Sequence, residues 1–310
     1  MKKLALSLFA FPCFISVLAQ SGNLPIIDMH LHAPEVVWSD TMICTPEPCT
    51  GPKNRINEIS ELLPLTVDEM RKNNVVLGIV SDGNLDEIYR WKEYAPSLFL
   101  TGIAIWDPLQ PNISLLQDEY KEGRLNIVGE IATQYNGFAP NDQKLDRFYK
   151  LAVEFDVPVL IHCAALAGQS ALFNITDGNP LLLEPVLKKY PTLRIYVENA
   201  GYPFAQEIIA LMNRYSNVYV DVSTITWLIP RSAFHYYLER LVIAGYGKRI
   251  MFGSDQMLWP ETIAMGIEAI ESASFLSNEE KRDILYYNAA RFLRLSDELI
   301  KEHHHRVRTH

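Results

Sequence analysis

Eight short runs of apolar, mostly β-branched residues recur along the 310-residue chain, and helical patterns fill the intervals between them. Apolar residues at consecutive positions are typical of strands that are covered on both faces, and hence of a parallel sheet. Strands and helices that alternate in this number predict an α/β fold, the (β/α)₈ TIM barrel. The runs lie at 24–27, 75–80, 99–105, 127–131, 157–161, 193–197, 218–222 and 250–252.

An open, doubly wound sheet is the alternative fold for such a pattern. That fold usually carries a glycine-rich phosphate loop after a strand, and the chain contains neither G-x-G-x-x-G nor a Walker A motif. No linker or internal repeat interrupts residues 24–295. We therefore expect a single barrel domain over residues 20–300.

The balance of charge excludes one class of partner. The chain has 28 Lys and Arg residues against 37 Asp and Glu residues, which gives a formal net charge of −9. A nucleic-acid-binding surface should be basic, so we expect no nucleic-acid partner. A content of 48% hydrophobic and 21% charged residues is that of a globular protein and argues against a polytopic membrane protein.

Residues 1–19 have the layout of a secretory signal peptide. Two lysines precede an apolar run at 4–19, which is shorter than the about 20 residues of a membrane span. Val17 and Ala19 stand at the −3 and −1 positions of a cleavage site. We expect cleavage after Ala19, export to the periplasm or out of the cell, and no membrane attachment afterwards; an uncleaved N-terminal anchor is the alternative.

Cys44 and Cys49 flank a proline-rich loop and are candidates for a disulfide, because an exported protein meets an oxidising compartment. Two unpaired loop thiols are the alternative. The long stretch 33–65 that contains them follows the first strand, and its length predicts a functional lid. The polar tail, 301–310, is predicted to be a frayed, solvated end.

Three of the eight histidines stand where strands are predicted to end. These are His30, His32 and His162, and in a barrel the carboxyl ends of the strands form the active-site face. His30 and His32 have period-two spacing, so both imidazoles leave the first strand on one side. Asp28 shares that side and is predicted to orient an imidazole. Asp255 follows the eighth run, which lies beside the first strand once the barrel closes.

Three imidazoles and one carboxylate around the same mouth predict a site for a divalent ion, with Zn²⁺ as the first choice. A hydrogen-bonded pair of core histidines and an ordinary helix-capping aspartate form the alternative interpretation. The joint placement of all four residues favours the metal site.

Three of these segments resemble the motifs of the amidohydrolase superfamily of metal-dependent TIM-barrel hydrolases. DMHLH at 28–32 resembles its strand-one motif, VLIH at 159–162 its strand-five ligand, and FGSD at 252–255 its strand-eight aspartate. The residues of these three motifs are similar to those of the amidohydrolase-related branch of the superfamily. That branch also contains decarboxylases such as aminocarboxymuconate-semialdehyde decarboxylase. The resemblance spans residues 24–295 and implies a metal-dependent reaction at the barrel mouth.

Two further strand ends test this resemblance. Glu130 ends the fourth strand, where many members place a carboxylated lysine or an acid that bridges two metals. It is therefore a candidate ligand, and the alternative is that it binds an arginine or a backbone amide.

Asn199 stands at the end of the sixth strand, where the family has a histidine. Asparagine is a poor metal ligand and cannot be a general base, but it can donate a hydrogen bond to an oxyanion. Glu198 is expected to point to the opposite side of the strand.

The departure at Asn199 favours one metal ion over two. Asp255 keeps catalysis feasible: the resemblance implies that it accepts a proton from a metal-activated water and then protonates the leaving group. The candidate catalytic residues are therefore Asp255 and Asn199. The candidate metal ligands are His30, His32, Glu130, His162 and Asp255.

Aromatic and amide side chains follow several strands, and such groups suit a flat or cyclic small-molecule ligand. Packing of loops over the barrel is the alternative role for each. The candidate substrate-binding residues are Trp106, Tyr135, Asn136, Trp227, Gln256 and Trp259.

Taken together, the sequence predicts a metal-dependent hydrolase that opens an amide, ester or lactone bond of a small molecule. A metal-dependent decarboxylase of a small carboxylic acid is the nearest alternative. A catalytically impaired binding protein, with Asn199 as the lesion, is a third. The sequence leaves the oligomeric state open, a homo-oligomer included.

Overall fold

The fold is that of a computed structural model, which describes residues 24–37, 52, 55–166 and 170–307. Eight parallel strands form one sheet in the order of the chain. The strands are β1 (Ile26–His32), β2 (Val75–Asp82), β3 (Phe99–Ile105), β4 (Ile127–Ile131), β5 (Val159–Ile161), β6 (Ile195–Val197), β7 (Val218–Asp221) and β8 (Ile250–Met251).

The two ends of the sheet meet and close it into a barrel. The amide of Met29 donates to the carbonyl of Phe252 at 2.9 Å, and the amide of Asp255 donates to the carbonyl of His30 at 2.9 Å. These bonds connect the first strand to the segment that follows β8. The predicted α/β TIM barrel is confirmed.

Helices cover the outside of the barrel because each presents one apolar face. In the fourth helix, Phe148, Leu151 and Ala152 are buried at helical spacing, while Glu154 remains on the outer side. The helices are α1 (Leu62–Lys72), α2 (Leu85–Tyr94), α3 (Ile113–Lys121), α4 (Asp146–Glu154), α5 (Glu184–Lys189), α6 (Ala205–Arg214), α7 (Ile225–Leu228), α8 (Arg231–Ile243), α9 (Thr262–Glu271), α10 (Asn278–Arg282), α11 (Asn288–Leu293) and α12 (Asp297–Arg306).

The inside of the barrel is apolar below the mouth. Ile27, Leu77, Leu160 and Tyr196, from four different strands, belong to one buried cluster. The Tyr196 hydroxyl donates across the barrel to the carbonyl of Met29 at 3.1 Å. This packed interior leaves polar side chains to gather only at the carboxyl ends of the strands.

Strands β5 and β6 each begin two residues later than the apolar runs predict. The amide of Val157 donates to the carbonyl of Ala152, and the amide of Leu193 donates to the carbonyl of Tyr190. These bonds belong to the turns that end the preceding helices. The first residues of both runs therefore close a helix instead of pairing with a neighbouring strand.

Residues 301–307, the part of the predicted tail 301–310 that the structure describes, differ from the frayed end that composition predicts. Helix α12 begins at the cap residue Ser296 and continues to Arg306. Ile300, His303 and Val307 share one face of it, and His303 and Val307 are buried against the base of the barrel. This i, i+3, i+7 spacing holds the segment on the protein, although its composition is polar.

Several sequence predictions fall outside the described residues. They are the signal peptide at 1–19, the disulfide candidates Cys44 and Cys49, and residues 38–51 and 53–54 of the predicted lid at 33–65. Within the described part of the chain, Cys163 is buried with a free thiol. No helix among the described residues is both long enough and apolar enough to cross a bilayer.

Candidate metal centre

The five predicted ligands meet inside the mouth of the barrel. His30 and His32 end β1, Glu130 lies in β4, His162 follows β5 directly, and Asp255 follows β8. All five are buried. Residues that lie up to 225 positions apart therefore share one site because each stands at the carboxyl end of its strand.

Four side-chain atoms converge around a common point. The Nε2 atoms of His30 and His32 are 3.0 Å apart, and His32 Nε2 is 3.0 Å from Asp255 Oδ1. Asp255 Oδ1 is 3.9 Å from His30 Nε2. Glu130 Oε2 lies 3.6 Å from His32 Nε2 and 3.9 Å from His30 Nε2.

This arrangement fits a tetrahedral divalent cation. Ligand bonds of 2.0–2.1 Å separate tetrahedral ligands by about 3.3–3.4 Å, which is within the observed span. Asp255 Oδ1 is buried and accepts no hydrogen bond, so it has a lone pair available for a cation. Two imidazole nitrogens with carboxylate oxygens are a donor set that Zn²⁺ and related ions accept.

Strand β7 supplies the groups that orient His30. Ser223 Oγ lies 3.2 Å from His30 Nδ1, and Asp221 Oδ2 lies 3.6 Å from the same nitrogen. These contacts leave Nε2 directed toward the other ligands. Burial disfavours the charged form of His30, but Asp255 and Asp221 raise its pKa well above the ordinary value. The site therefore favours positive charge at this position.

Asp28 does not orient an imidazole, in contrast to the prediction. Its Oδ1 accepts from the backbone amides of His30 at 3.1 Å and Ser254 at 2.9 Å. Burial raises its pKa to about 7, against the effect of these bonds. Asp28 thus holds the β1 backbone against the segment after β8, and Asp221 and Ser223 hold the ring.

Three of the predicted substrate contacts lie behind the site. Gln256 is buried and bonds both backbone groups of His32: its Oε1 accepts from the amide at 2.8 Å, and its Nε2 donates to the carbonyl at 3.1 Å. Trp227 is buried and donates to the carbonyl of Ser254 at 2.7 Å. Trp259 packs against Trp227, with ring centroids 6.4 Å apart. In the structure these three side chains support the wall of the site, and their contact with a substrate stays a prediction.

The other three predicted contacts lie at the mouth. The ring of Tyr135 is 4.9 Å from that of His162 and 5.9 Å from that of Trp106. Asn136 donates to the carbonyl of Trp106 at 2.8 Å. Phe173 completes this aromatic wall, 6.1 Å from Tyr135. Sequence reasoning missed Phe173 because it lies in the loop after β5 and not at a strand end.

Glu198 corrects a second expectation. Its Oε2 lies 2.8 Å from His162 Nδ1, inside the site and not on the far side of the strand. Strand β6 ends at Val197, and Glu198 begins a turn in which Asn199 adopts a left-handed backbone with φ 55°. The rule that successive side chains of a strand point to opposite faces therefore does not apply to Glu198, which lies beyond the end of β6.

Asn199 is buried in the mouth and is held there by two neighbouring carboxylates. Its Nδ2 donates to Glu198 Oε1 at 2.7 Å, and its backbone amide donates to Asp221 Oδ1 at 3.1 Å. This bond uses one of the two N–H donors of the side-chain amide, and the role of Asn199 as an oxyanion donor stays a prediction. Asn199 also orients Glu198.

Asp82 is a further acidic residue that sequence reasoning missed. It ends β2, and its Oδ2 lies 3.9 Å from His32 Nδ1. Asp221 likewise ends β7. Both could have been found by the rule that located the histidines, which is the position of a polar residue at the carboxyl end of a strand.

Comparisons with known proteins agree with this geometry. The family model described as Amidohydrolase matches residues 27–295. A probable 2-pyrone-4,6-dicarboxylic acid hydrolase from Acinetobacter baumannii, solved with citric acid bound, superposes with a TM-score of 0.63 at 16% identity, over 88% of this chain and 100% of that one. A 5-carboxyvanillate decarboxylase from Novosphingobium aromaticivorans, complexed with manganese, gives a TM-score of 0.57 at 16% identity, over 88% and 96% of the two chains.

A curated relative matches part of the chain. The protein fluG of Emericella nidulans is 21% identical over 140 residues, which are 40% of this chain and 16% of that protein. The chain therefore spans about a sixth of the length of that relative. The family model by contrast covers most of the barrel, from β1 to the helices that follow β8. The protein belongs to the amidohydrolase family.

Proposed function

We propose that this protein is a metal-dependent hydrolase that opens an amide, ester or lactone bond of a small molecule. One observation carries the proposal: in the buried mouth of the barrel the Nε2 atoms of His30 and His32 lie 3.0 Å apart, and each lies 3.0–3.9 Å from carboxylate oxygens of Glu130 and Asp255. A bound divalent cation at this point would supply Lewis-acid activation of water and of a substrate carbonyl. Zn²⁺ is our first choice, and the manganese of the decarboxylase relative makes Mn²⁺ the second.

The residues around the cation have separable tasks. His30 and His32 would hold it together with Glu130, and the buried carboxylate of Asp255, whose Oδ1 lies 3.0 Å from His32 Nε2, would contact the cation and accept a proton from the activated water. The same carboxyl group can return the proton to the leaving group. Trp106, Tyr135 and Phe173 form a wall that suits a flat or cyclic substrate such as an aromatic ester or a lactone.

Replacement of Asp255 by asparagine tests the proposal. Without a proton acceptor, turnover of the best substrate from a panel of lactones, esters and amides should fall about 10²–10⁴-fold. Asp118→Asn, the same chemical change on the exposed side of α3, is the matched control and should keep full turnover. Wild-type turnover by Asp255→Asn with metal still bound would reject the proposal.

Decarboxylation is the second candidate, and the likeness to the 5-carboxyvanillate decarboxylase supports it. Product analysis separates the two reactions. Hydrolysis of an ester or a lactone releases a proton and hydrolysis of an amide releases an amine, in each case without carbon dioxide, whereas decarboxylation releases carbon dioxide. Metal content separates both metal-dependent reactions from a catalytically impaired binding protein. For such a binding protein, less than about 0.3 equivalents of metal per chain would remain after careful preparation.

A further inference from the structure

Basic residues are scarce in the loops that surround the mouth. In the sequence, no Lys or Arg occurs between the end of a strand and the next α-helix after β2, β3, β5, β6, β7 and β8. The segment after β4 holds Lys144, whose Nζ lies 4.5 Å from the ring centroid of Phe138. The segment after β1 holds Lys53 and Arg55. The loops at the mouth therefore offer few basic groups to an anionic substrate.

Carboxylates, by contrast, stand at the ends of most strands. Those in or directly beyond β2, β4, β6, β7 and β8 are Asp82, Glu130, Glu198, Asp221 and Asp255. Their five formal negative charges exceed the two positive charges of a divalent cation. A cleft that is lined by charges of one sign attracts ligands of the opposite sign. The mouth therefore favours a cationic substrate over an anionic one.

Asp82 has a more open position than the other carboxylates of the mouth. Its side chain is 17% exposed, whereas those of Glu130 and Asp255 are 4% and 6% exposed. Its Oδ1 accepts from the amide of Gly83 at 2.7 Å, and its Oδ2 lies 3.9 Å from His32 Nδ1. Within the described part of the chain, Asp82 forms no ion pair with a lysine or an arginine. Its charge is therefore available to a ligand in the mouth.

An exposed aromatic ring lies beside Asp82. A Cβ atom at Gly83 would lie 3.4 Å from Trp106 Cδ1, so the indole lies against the residue that follows Asp82. Trp106 is 37% exposed, and its ring centroid is 5.9 Å from that of Tyr135. The face of an indole attracts a cation through its π electrons. A carboxylate beside an exposed tryptophan is thus a combination that binds a positively charged nitrogen group.

Two exposed carboxylates continue this acidic surface to the rim of the mouth. Glu35 follows β1, and its Oε1 accepts from the Nδ2 of Asn84, two residues beyond Asp82. Asp107 follows Trp106 directly in the chain and is exposed. Negative charges at a rim raise the local concentration of a cationic ligand. The surroundings of Asp82 therefore favour the same charge of ligand as Asp82 itself.

We propose that the substrate carries a positively charged nitrogen group, and that Asp82 binds this group beside Trp106. Asp82 is then a residue that determines specificity in the proposed reaction. The inference rests on the proposed function and adds the class of substrate to it. An ester, lactone or amide that also contains an amine, an amidine or a quaternary ammonium group has the required chemistry.

The binding of three flat probes of similar size tests the preference for charge. At neutral pH benzamidine is a cation, benzamide is neutral and benzenesulfonate is an anion. Calorimetric titration of the purified protein should show benzamidine bound about tenfold more tightly than benzamide, because a hydrogen bond between two charged groups is stronger than one from a neutral donor. Equal affinities for these two probes would overturn the proposal. Tighter binding of benzenesulfonate than of benzamidine would also overturn it.

The variant Asp82→Asn tests whether this residue causes the preference. The substitution keeps the size of the side chain and the acceptor for the Gly83 amide but removes the charge. The ratio of the benzamidine affinity to the benzamide affinity should fall about tenfold, to near one. Asp68→Asn, the same change on the exposed side of α1, is the matched control and should keep the wild-type ratio. Circular dichroism checks that both variants are folded.

The ratio distinguishes recognition of charge from a structural role. If Asp82 only held His32 in place, Asp82→Asn would weaken metal binding and leave the ratio of the two affinities unchanged. That result would overturn the role assigned to Asp82. The preference of the wild type for benzamidine needs no variant, so the charge of the substrate can be tested even if Asp82→Asn does not fold.

Turnover separates this inference from the proposed function. Benzoylcholine and 3,3-dimethylbutyl benzoate have the same shape, and only the first carries a charge. The ratio of their kcat/KM values should fall about tenfold from wild type to Asp82→Asn, a comparison in which the intrinsic reactivities of the esters cancel. An unchanged ratio would overturn the inference and leave the hydrolysis intact. Failure of the whole panel of lactones, esters and amides would reject the proposed reaction, whereas a preference for benzamidine would still support a cationic ligand.

Discussion

Gln256 holds the backbone of His32, a candidate metal ligand, by hydrogen bonds to both of its polar groups. It is buried, and its amide group bonds the backbone amide and carbonyl of His32. The residue thereby determines where β1 ends and where the His32 ring enters the mouth. Sequence reasoning placed Gln256 at the right end of the barrel but predicted a substrate contact, because a strand-end position alone does not distinguish the two roles.

We predict that Gln256→Glu weakens metal binding. The substitution keeps the size of the side chain but replaces the donor that bonds the His32 carbonyl with an acceptor. Loss of such a supporting contact typically lowers metal affinity about 10–100-fold. Competition with a chromogenic chelator measures the change, and Gln143→Glu, in the turn before α4, is the control. Equal affinities for wild type and Gln256→Glu would show that His32 is held by other contacts.

At the level of single elements, strand β4 depends on one glycine. Gly129 has φ 129°, a region that residues with a Cβ atom rarely adopt. A Cβ atom at this position would also collide with the carbonyl oxygen of Leu160 in β5. Glycine here lets β4 approach β5 and places the next residue, Glu130, in the mouth.

Gly129→Ala should therefore destabilise the protein more than a glycine substitution in open space. Gly123→Ala is the matched control, because Gly123 has φ 71° and no neighbouring atom within 4 Å of the added Cβ. The control should lose about 1–2 kcal/mol of unfolding free energy from backbone strain alone. Gly129→Ala should lose about 1–3 kcal/mol more from the collision. Denaturant unfolding measures both, and equal losses would refute the steric argument.

Helix α12 is joined to the base of the barrel by a buried histidine. His303 Nδ1 lies 3.0 Å from the hydroxyl of Tyr286. Burial and the nearby Arg306 lower the pKa of His303 to about 4, with only a small opposing effect of Glu302. In the unfolded chain a histidine titrates near pH 6.5, so the unfolded state binds the proton first as the pH falls.

The stabilising effect of neutral His303 should be complete above about pH 6.5 and decline as the pH falls toward 4. A His303→Leu variant lacks this titration. Thermal unfolding at pH 7.5 and at pH 4.5 should therefore show a larger fall in Tm for wild type than for the variant. All other titrating groups are common to the two proteins. Equal falls would mean that His303 is already charged or already exposed in the folded state.

In the molecule as a whole, the metal centre joins distant parts of the barrel. The candidate ligands His30, His32, Glu130 and Asp255 come from β1, β4 and the segment after β8, where the closing hydrogen bonds also lie. A cation that binds these groups binds the folded state only, and so it stabilises that state by mass action. The mouth is therefore both the proposed reaction site and a place where the barrel is held closed.

Metal should raise the melting temperature. At a free concentration of 100 times Kd, the gain is about 2.7 kcal/mol, which corresponds to roughly 5–10 °C for a chain of this size. Chelation should reverse the gain, and His30→Asn, which lacks one of the candidate ligands, should show a smaller gain than wild type at the same metal concentration. A wild-type melting temperature that does not respond to Zn²⁺ or Mn²⁺ would contradict the metal centre.

The TIM barrel could be predicted from the sequence because the patterns that indicate its strands involve only neighbouring residues. Consecutive β-branched residues indicate buried strands, and a histidine directly after such a run indicates the barrel mouth, whatever the distance along the chain. The positions of His30, His32, His162 and Asp255 follow from these two rules.

The side to which the Glu198 side chain points could not be predicted in the same way. Successive side chains point to opposite faces only within a strand, and β6 ends one residue before Glu198. Where β6 ends is determined by its hydrogen bonds to neighbouring strands, and the turn at Asn199 is stabilised by Asp221 from β7. The roles of Gln256 and Trp227 likewise depend on which distant backbone groups lie beside them. Such contacts form between residues far apart in the chain, so only the folded arrangement reveals them.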